Sequence, residues 1–296
     1  MPSFNRRKPK AKIAFPKLRI HKQGKQAQFD DPTVPQQQSL RRRGVYLLPN
    51  AFTTAALFCG FYAIVMAMNG RYEQSAIAIF AAMILDGIDG RVARLTNTQS
   101  EFGAQYDSLS DMVSFGAAPS LVIYEWSLRG LDKMGWLAAF VYCAGAALRL
   151  ARFNTNITVV DKRFFQGLPS PAAAALVAGL IWTIEDLRSR GIDISWINLS
   201  WTSWIITVFA GLTMVSNVPF YSFKDVNFRK VVPFISIFVI VLIFVLISLD
   251  PPVILFGLFV LYGLSGYGAL VWRFAKGKPV SIVQTDIDSL EDKNLP

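Results

Sequence analysis

Eight stretches of this chain are apolar over about 20 residues each, at roughly 46–68, 74–95, 104–127, 134–153, 170–187, 203–219, 231–249 and 252–274. That is the length an α-helix needs to cross a hydrocarbon core of ~30 Å. Backbone polar groups find no water in lipid, so spanning segments of this kind must satisfy their own hydrogen bonds as helices. With 53% hydrophobic residues, 23 Phe, 7 Trp and a mean hydropathy of +0.37, the chain is too apolar for an ordinary soluble domain of 296 residues. The expected fold is therefore all-α, a polytopic membrane helical bundle of about eight transmembrane helices.

The opening segment MPSFNRRKPKAKIAFPKLRIHKQGKQAQ is basic but has no apolar core followed by a small-residue cleavage site, so it reads as a cytosolic tail and not as a secretory signal. With both termini in the cytosol, the outer loops hold only Arg71, Arg129, Lys133, Arg188 and Arg190 of the 30 Lys and Arg residues. This asymmetry obeys the positive-inside rule. Twelve of the basic residues precede residue 44 and dominate the net charge of +10. They fit a topogenic signal that also attracts anionic headgroups, at about 1 kcal/mol per residue, and no nucleic-acid partner is expected. The organisation expected is a basic tail at 1–40, a core of six transmembrane helices at 41–225, two additional helices at 226–276 and a cytosolic tail at 277–296. Most of the tryptophans fall near span ends, as an interfacial belt requires. The outer stretch EDLRSRGIDISWINLSW is expected to hold a short surface helix, and Asp250-Pro251-Pro252 a tight turn.

Several chemistries are excluded. His21, the single histidine, lies in the tail, which removes Ser-His-Asp and Cys-His catalysis and the common zinc sites. Cys59 and Cys143 fall inside apolar spans without metal-type spacing and read as packing residues. What remains is carboxylates, Arg, Lys, hydroxyls and a metal.

Against that background the segment DGIDGRVARLTNTQSEFGAQYDSLSD, residues 86–111, stands out. Asp86 and Asp89 share a helical stripe, and Asp107 and Asp111 at i and i+4 share another. A short loop near TNTQSEF brings the two pairs to similar depth. Four carboxylates at one place in a low-dielectric medium repel one another, and each lone charge costs at least ~2.5–3.5 kcal/mol to insert. A divalent cation resolves the conflict. Hard oxygen ligands without Cys or His select Mg²⁺ or Mn²⁺, ions that complete their shells with water and phosphate oxygens. Gly87, Gly90, Ala93, Gly103 and Ala104 keep the hairpin slim, either for close helix packing or to leave room for a nucleotide.

Other polar residues fall at the same level: Asn50, Arg149, Arg152, Asn217, Lys224 and the loop NTNITVVDKRFFQGLPSP. Arg149 and Arg152 suit an anionic group or serve as positive-inside anchors. Lys162 and Arg163 read as ordinary loop charges.

The spacing Asp86-x2-Asp89-Gly90-x2-Ala93-Arg94-x8-Gly103-x3-Asp107-x3-Asp111 resembles the signature of the CDP-alcohol phosphatidyltransferases, with every fixed position filled. The stretches RRRGVYLLPNAFTTAALFCGFYA, ALRLARFN and FFQGLPSPAAA are similar to the bacterial branch of that family that uses serine, over roughly residues 41–225. The resemblance implies that Asp86, Asp89 and Asp107 bind one or two Mg²⁺ or Mn²⁺ ions, with Asp111 as a further metal ligand and general base. It also implies that Gly90, Ala93, Arg94 and Gly103, joined by Asn50 and Asp107, accommodate the CDP moiety. The implied reaction transfers the phosphatidyl group of CDP-diacylglycerol to the hydroxyl of L-serine, giving phosphatidylserine and CMP. A homodimer in the bacterial inner membrane is implied, multi-pass among membrane lipids and with its active site facing the cytosol.

A zwitterionic acceptor needs a cation and neutral or acidic partners, for which Arg149, Arg152, Gln166, Ser170, Asn217 and Lys224 are the candidates. The alternatives are another acceptor (glycerol 3-phosphate, an inositol phosphate or phosphatidylglycerol), an ion-coupled transporter, and an inactive scaffold.

Overall fold

The computed structural model describes residues 36–96, 98–155, 164–221 and 234–276. Residues 1–35 of the basic tail, the tail at 277–296, Lys162, Arg163 and Lys224 lie outside the described residues, and α1 takes in residues 36–40. The chain is mostly helical: α1 Gln36–Met68, α2 Tyr72–Leu95, α3 Glu101–Asp111, α4 Ala118–Ile123, α5 Asp132–Thr155, α6 Ser170–Ser189, α7 Leu199–Val215, α8 Phe234–Leu249 and α9 Pro251–Ala275. Two π-helical segments, Met112–Ala117 and Tyr124–Leu128, flank α4 and continue the axis of α3. Asp107 and Asp111 both precede the first of them, so the widened turns leave their α-helical i, i+4 alignment intact.

Among the described residues four stretches are long and apolar enough to cross a membrane: Leu48–Met68, Glu101–Thr155, Ser170–Ser189 and Pro251–Ala275. The second is not one rod. The chain reverses at a 3₁₀ turn, Arg129–Leu131, and at Asp132 with φ 45°, after which α5 runs back along the preceding segment. Three contacts fix that antiparallel register: Ser108 against Asn154, the Tyr142 hydroxyl donating to Phe115 O at 3.0 Å, and Gly135 against the Leu128 carbonyl. Large apolar side chains such as Phe58, Phe61, Ile84, Leu109, Phe140, Phe244 and Leu261 face outward, which in a membrane protein is the lipid-facing surface.

Helix α6 is the centre of the bundle. Its run Ala172–Ala175 and the residues Val177, Ala178 and Ile181 are buried, because small side chains let α2, α7 and α9 approach closely where lipid supplies no hydrophobic drive. Phe80 of α2 meets both Trp182 of α6 and Phe259 of α9, with ring centroids 5.6 and 6.3 Å apart. Helices α5 and α7 cross with their backbones in close approach. A Cβ on Gly145 would stand 2.5 Å from Gly211 O, and one on Gly211 would stand 2.9 Å from Tyr142 Cα. Backbone cannot yield as a side chain can. Gly145→Leu is therefore expected to destabilise the bundle by about 1–3 kcal/mol or more, seen as a lowered melting temperature of the purified protein in detergent.

Two details amend the sequence expectation. The fold contains a small antiparallel sheet, β1 Phe164–Gln166 with β2 Pro219–Tyr221, in the register Phe164 to Tyr221 and Gln166 to Pro219. No helix forms between Ser189 and Leu199. There Gly191 takes φ +74°, and the Asp193 carboxylate accepts from Ser195 N at 2.9 Å, so local turn bonds replace helical ones. Helix α7 consequently runs 199–215 where the hydropathy suggested 203–219. Asp250 and its prolines behave as expected, opening α9 with Pro251 and Pro252 in the first turn. Arg190 grips Asp250 with two nitrogens at 3.0 and 3.2 Å, tying the end of α6 to the α8–α9 turn.

Candidate active site

Helix α1 carries Asn50 and Thr53, α2 carries Asp86, Asp89, Gly90, Ala93 and Arg94, and α3 carries Gly103, Asp107 and Asp111. The link from α2 to α3 is short because Ser100 caps α3, its hydroxyl accepting from Gly103 N at 3.0 Å. Helix α3 and the π-helical segment after it are zipped to α1 by Ser110, whose hydroxyl donates to Thr53 O at 3.1 Å, and by Ser114, which donates to Ala56 O at 3.1 Å. These bonds hold the acidic faces of two helices toward each other.

Asp86, Asp89 and Asp107 each present a carboxylate oxygen, all within 4.8 Å of one another. Asp111 stands beside that trio, its carboxyl in hydrogen-bond contact with that of Asp86. Two carboxyl groups so placed require a proton or a cation between them. Asp107 Oδ1 and Asp111 Oδ1 are buried with no hydrogen-bond partner among the described residues. Orphaned, buried, hard oxygens are what a Mg²⁺ or Mn²⁺ site would leave. The donor set fits such an ion.

Beside the carboxylates lies a cavity of about 400 Å³, lined by residues of α1, α2, the α2–α3 link and α3. Asn50, Gly90, Ala93, Arg94, Gly103 and Asp107, the six residues expected to meet the nucleotide, all line it. Asp89 and Asp107 belong to both cavity and cluster. A Cβ on Gly90 would meet nothing within 4 Å, so this glycine leaves space in the cavity and does not serve a helix–helix contact. Gly87 is exposed, equally open, and does not line the cavity. Arg94 is exposed, with its Nε donating to Gly90 O at 2.9 Å.

The acceptor candidates divide in two. Arg149, near the C-terminal end of α5, is half-buried, donates from Nη1 to Ser170 Oγ at 3.0 Å, and has a buried Nε with no partner among the described residues. It lies within electrostatic reach of Asp111 and of Tyr262 on α9. Arg152, one turn on, is saturated by neighbours: Nη1 donates to Val215 O and Asn217 Oδ1, Nη2 to Gln166 O and Ser216 O, at 2.9–3.2 Å. The guanidinium thus joins the end of α7 to the β1 segment. Gly167 completes the joint with φ +76°, where a Cβ would stand 2.4 Å from Met214 O. Only glycine fits there. The last helix backs this platform: Tyr262 lies on Phe220 with ring centroids 5.6 Å apart, and the Tyr267 and Thr213 hydroxyls are 2.7 Å apart.

The model of the CDP-alcohol phosphatidyltransferase family matches residues 46–215. The chain belongs to that family. A CDP-diacylglycerol–serine O-phosphatidyltransferase of Helicobacter pylori is 35% identical over 224 residues, 74% of this chain and 90% of that protein. Relatives of the same description from Mycobacterium bovis, at 36% over 185 residues, and Saccharomyces cerevisiae, at 38% over 142, cover 60% and 43% of this chain and 63% and 51% of their own lengths. Helices α8 and α9 lie beyond the family match, yet α9 packs on α6 and on the β2 strand beside the site.

Sequence reasoning missed Thr53. Its hydroxyl lines the cavity and donates to Asp89 Oδ2 at 2.8 Å. The available signal was its place three residues after Asn50, on the same helical face.

Proposed function

We propose that the chain transfers the phosphatidyl group of CDP-diacylglycerol to the hydroxyl of L-serine, forming phosphatidylserine and releasing CMP. The observation that carries this reading is the junction at Asp89 and Asp107, where a nucleotide-sized cavity opens onto a carboxylate cluster suited to a divalent ion. The 35% identity to a serine-using relative over most of both chains supports the acceptor.

Bound across Asp86, Asp89, Asp107 and Asp111, Mg²⁺ or Mn²⁺ would supply charge neutralisation for the diphosphate and the departing CMP. The chain's own groups do the rest. The cavity at Asn50, Gly90, Ala93, Arg94 and Gly103 holds the CDP moiety. Arg149, next to Ser170, binds the serine carboxylate and aims its hydroxyl toward Asp111. Asp111 takes the hydroxyl proton as the serine oxygen bonds to the phosphatidyl phosphorus; the bond from that phosphorus to the bridging diphosphate oxygen breaks, and its electron pair leaves with CMP. No covalent enzyme intermediate is needed. Arg152, Gln166 and Asn217 build the floor under Arg149, and Lys224 is a further candidate on the serine side.

In this reading each of the eight helical rods formed by α1, α2, the 101–128 segment, α5, α6, α7, α8 and α9 crosses the membrane once. Both tails and the carboxylate end then face the cytosol of a bacterial inner membrane, and the Trp-rich loops face out. Residues 41–225 form the catalytic core, 226–276 are two added helices, and the enzyme works as a homodimer.

The deciding experiment supplies purified protein with labelled CDP-diacylglycerol and each acceptor in turn, with and without EDTA. Phosphatidylserine and CMP are expected with serine and not with glycerol 3-phosphate or an inositol phosphate, and EDTA should abolish both products until Mg²⁺ or Mn²⁺ is restored. Product with glycerol 3-phosphate and none with serine would overturn the acceptor assignment. In the same assay Arg149→Ala should raise the KM for serine at least tenfold while changing that for CDP-diacylglycerol little. An unchanged serine KM removes Arg149 from the acceptor pocket.

A further inference from the structure

A polar side chain that is not itself acidic reaches the carboxylate cluster from α1. Thr53 and Asp89 are each only 4% exposed, and the Thr53 hydroxyl reaches Asp89 Oδ2 at 2.8 Å. The same hydroxyl lies 3.2 Å from Pro49 O one turn back. A hydroxyl has one proton to give, and the nearer, charged acceptor takes it. Thr207, likewise buried, bonds the carbonyl four residues back, Ser203 O at 2.7 Å, and has no carboxylate partner among the described residues. Thr53 has both acceptors beside it, and the carboxylate is the nearer.

We propose that Thr53 is a positioning residue for the cation-binding cluster: its hydroxyl commits one oxygen of Asp89 and leaves the other for a divalent ion. The inference rests on the reading of the cluster as a cation site. Thr53 is itself held from the opposite side, since its carbonyl accepts from Ser110 Oγ at 3.1 Å on the helix that carries Asp107 and Asp111. In a helix its β-branched side chain is restricted to two χ1 rotamers. Through one residue, therefore, α1 sets the carboxylate of α2 against those of α3. Partners that orient a metal ligand in this way change metal affinity about 10–100-fold when removed.

The test is Mn²⁺ binding to the detergent-purified full chain, read from the spin-resonance signal of free Mn²⁺, without nucleotide or lipid substrate. Thr53→Val keeps the shape and removes the hydroxyl. Its dissociation constant should rise about ten- to hundredfold, Thr53→Ser should restore tight binding, and the metal-free melting temperature should not fall. Should the valine variant misfold, Thr53→Ala adds no bulk and should show the same loss. Mn²⁺ binding by the valine or alanine variant as tight as by the unaltered chain would overturn the role of Thr53. If the unaltered chain bound no Mn²⁺, or Asp107→Ala bound it equally well, the cation reading would fall and this inference with it.

Discussion

Asp111→Asn is expected to lower CMP release by about 10²–10⁴-fold, the usual worth of a positioned general base, while CDP-diacylglycerol still binds. The amide has the size of the carboxyl, so the packing of α3 against α1 is untouched. It can donate to the Asp86 carboxylate where Asp111 now makes hydrogen-bond contact. What it cannot do is take a proton from a serine hydroxyl. Asp111 does not line the cavity, which is why binding and turnover should separate at this residue. Substrate binding measured alongside single-turnover CMP formation checks both halves. A fully active Asp111→Asn protein would assign the proton to another group.

Gly90→Leu should cost on the order of 10²-fold in kcat/KM for CDP-diacylglycerol, the scale on which misplacement of a substrate by about 1 Å is felt, without lowering the melting temperature. A Cβ at Gly90 meets nothing within 4 Å, so the fold has no objection to a side chain there; the cavity does, since Gly90 lines it. Gly103 makes a useful contrast. Its Cβ would approach Ser100 Oγ at 3.1 Å and Asn50 Oδ1 at 3.5 Å, pressing on the cap of α3 as well as on the cavity. Equilibrium binding of CDP-diacylglycerol and thermal melting of both variants separate lost space from lost fold. Unchanged substrate binding by Gly90→Leu would place the nucleotide elsewhere.

These two cases mark how differently the site and its surroundings were written into the chain. The carboxylates were legible because their spacing is helical: three and four residues apart on α2 and α3, with a link too short to let the pairs separate. The glycines were ambiguous, since a missing side chain is the same symbol whether it admits a helix or a ligand. Arg149 and Arg152 were alike in sequence, three residues apart on one helix. Their fates differ because the four acceptors around Arg152 come from residues 166 and 215–217, brought to α5 by the packing of α7 and the β1–β2 pair. Three-residue strands whose partners lie more than 50 positions away leave no periodic signal. The loop after α6 misled for a local reason, as Gly191 and Asp193 favour turns where the surrounding apolar residues suggested a helix.

By itself the sequence determined a membrane bundle, the places where its helices run and the acidic signature of its chemistry, because hydrophobic length and helical spacing are properties of neighbouring residues. Only the tertiary structure decided that Gly90 opens onto a cavity and not onto a neighbouring helix, that Arg152 is consumed in holding a loop, and that Thr53 on the first helix reaches Asp89 on the second. Each of those outcomes depends on distances between segments far apart in the chain, and such distances are set by packing.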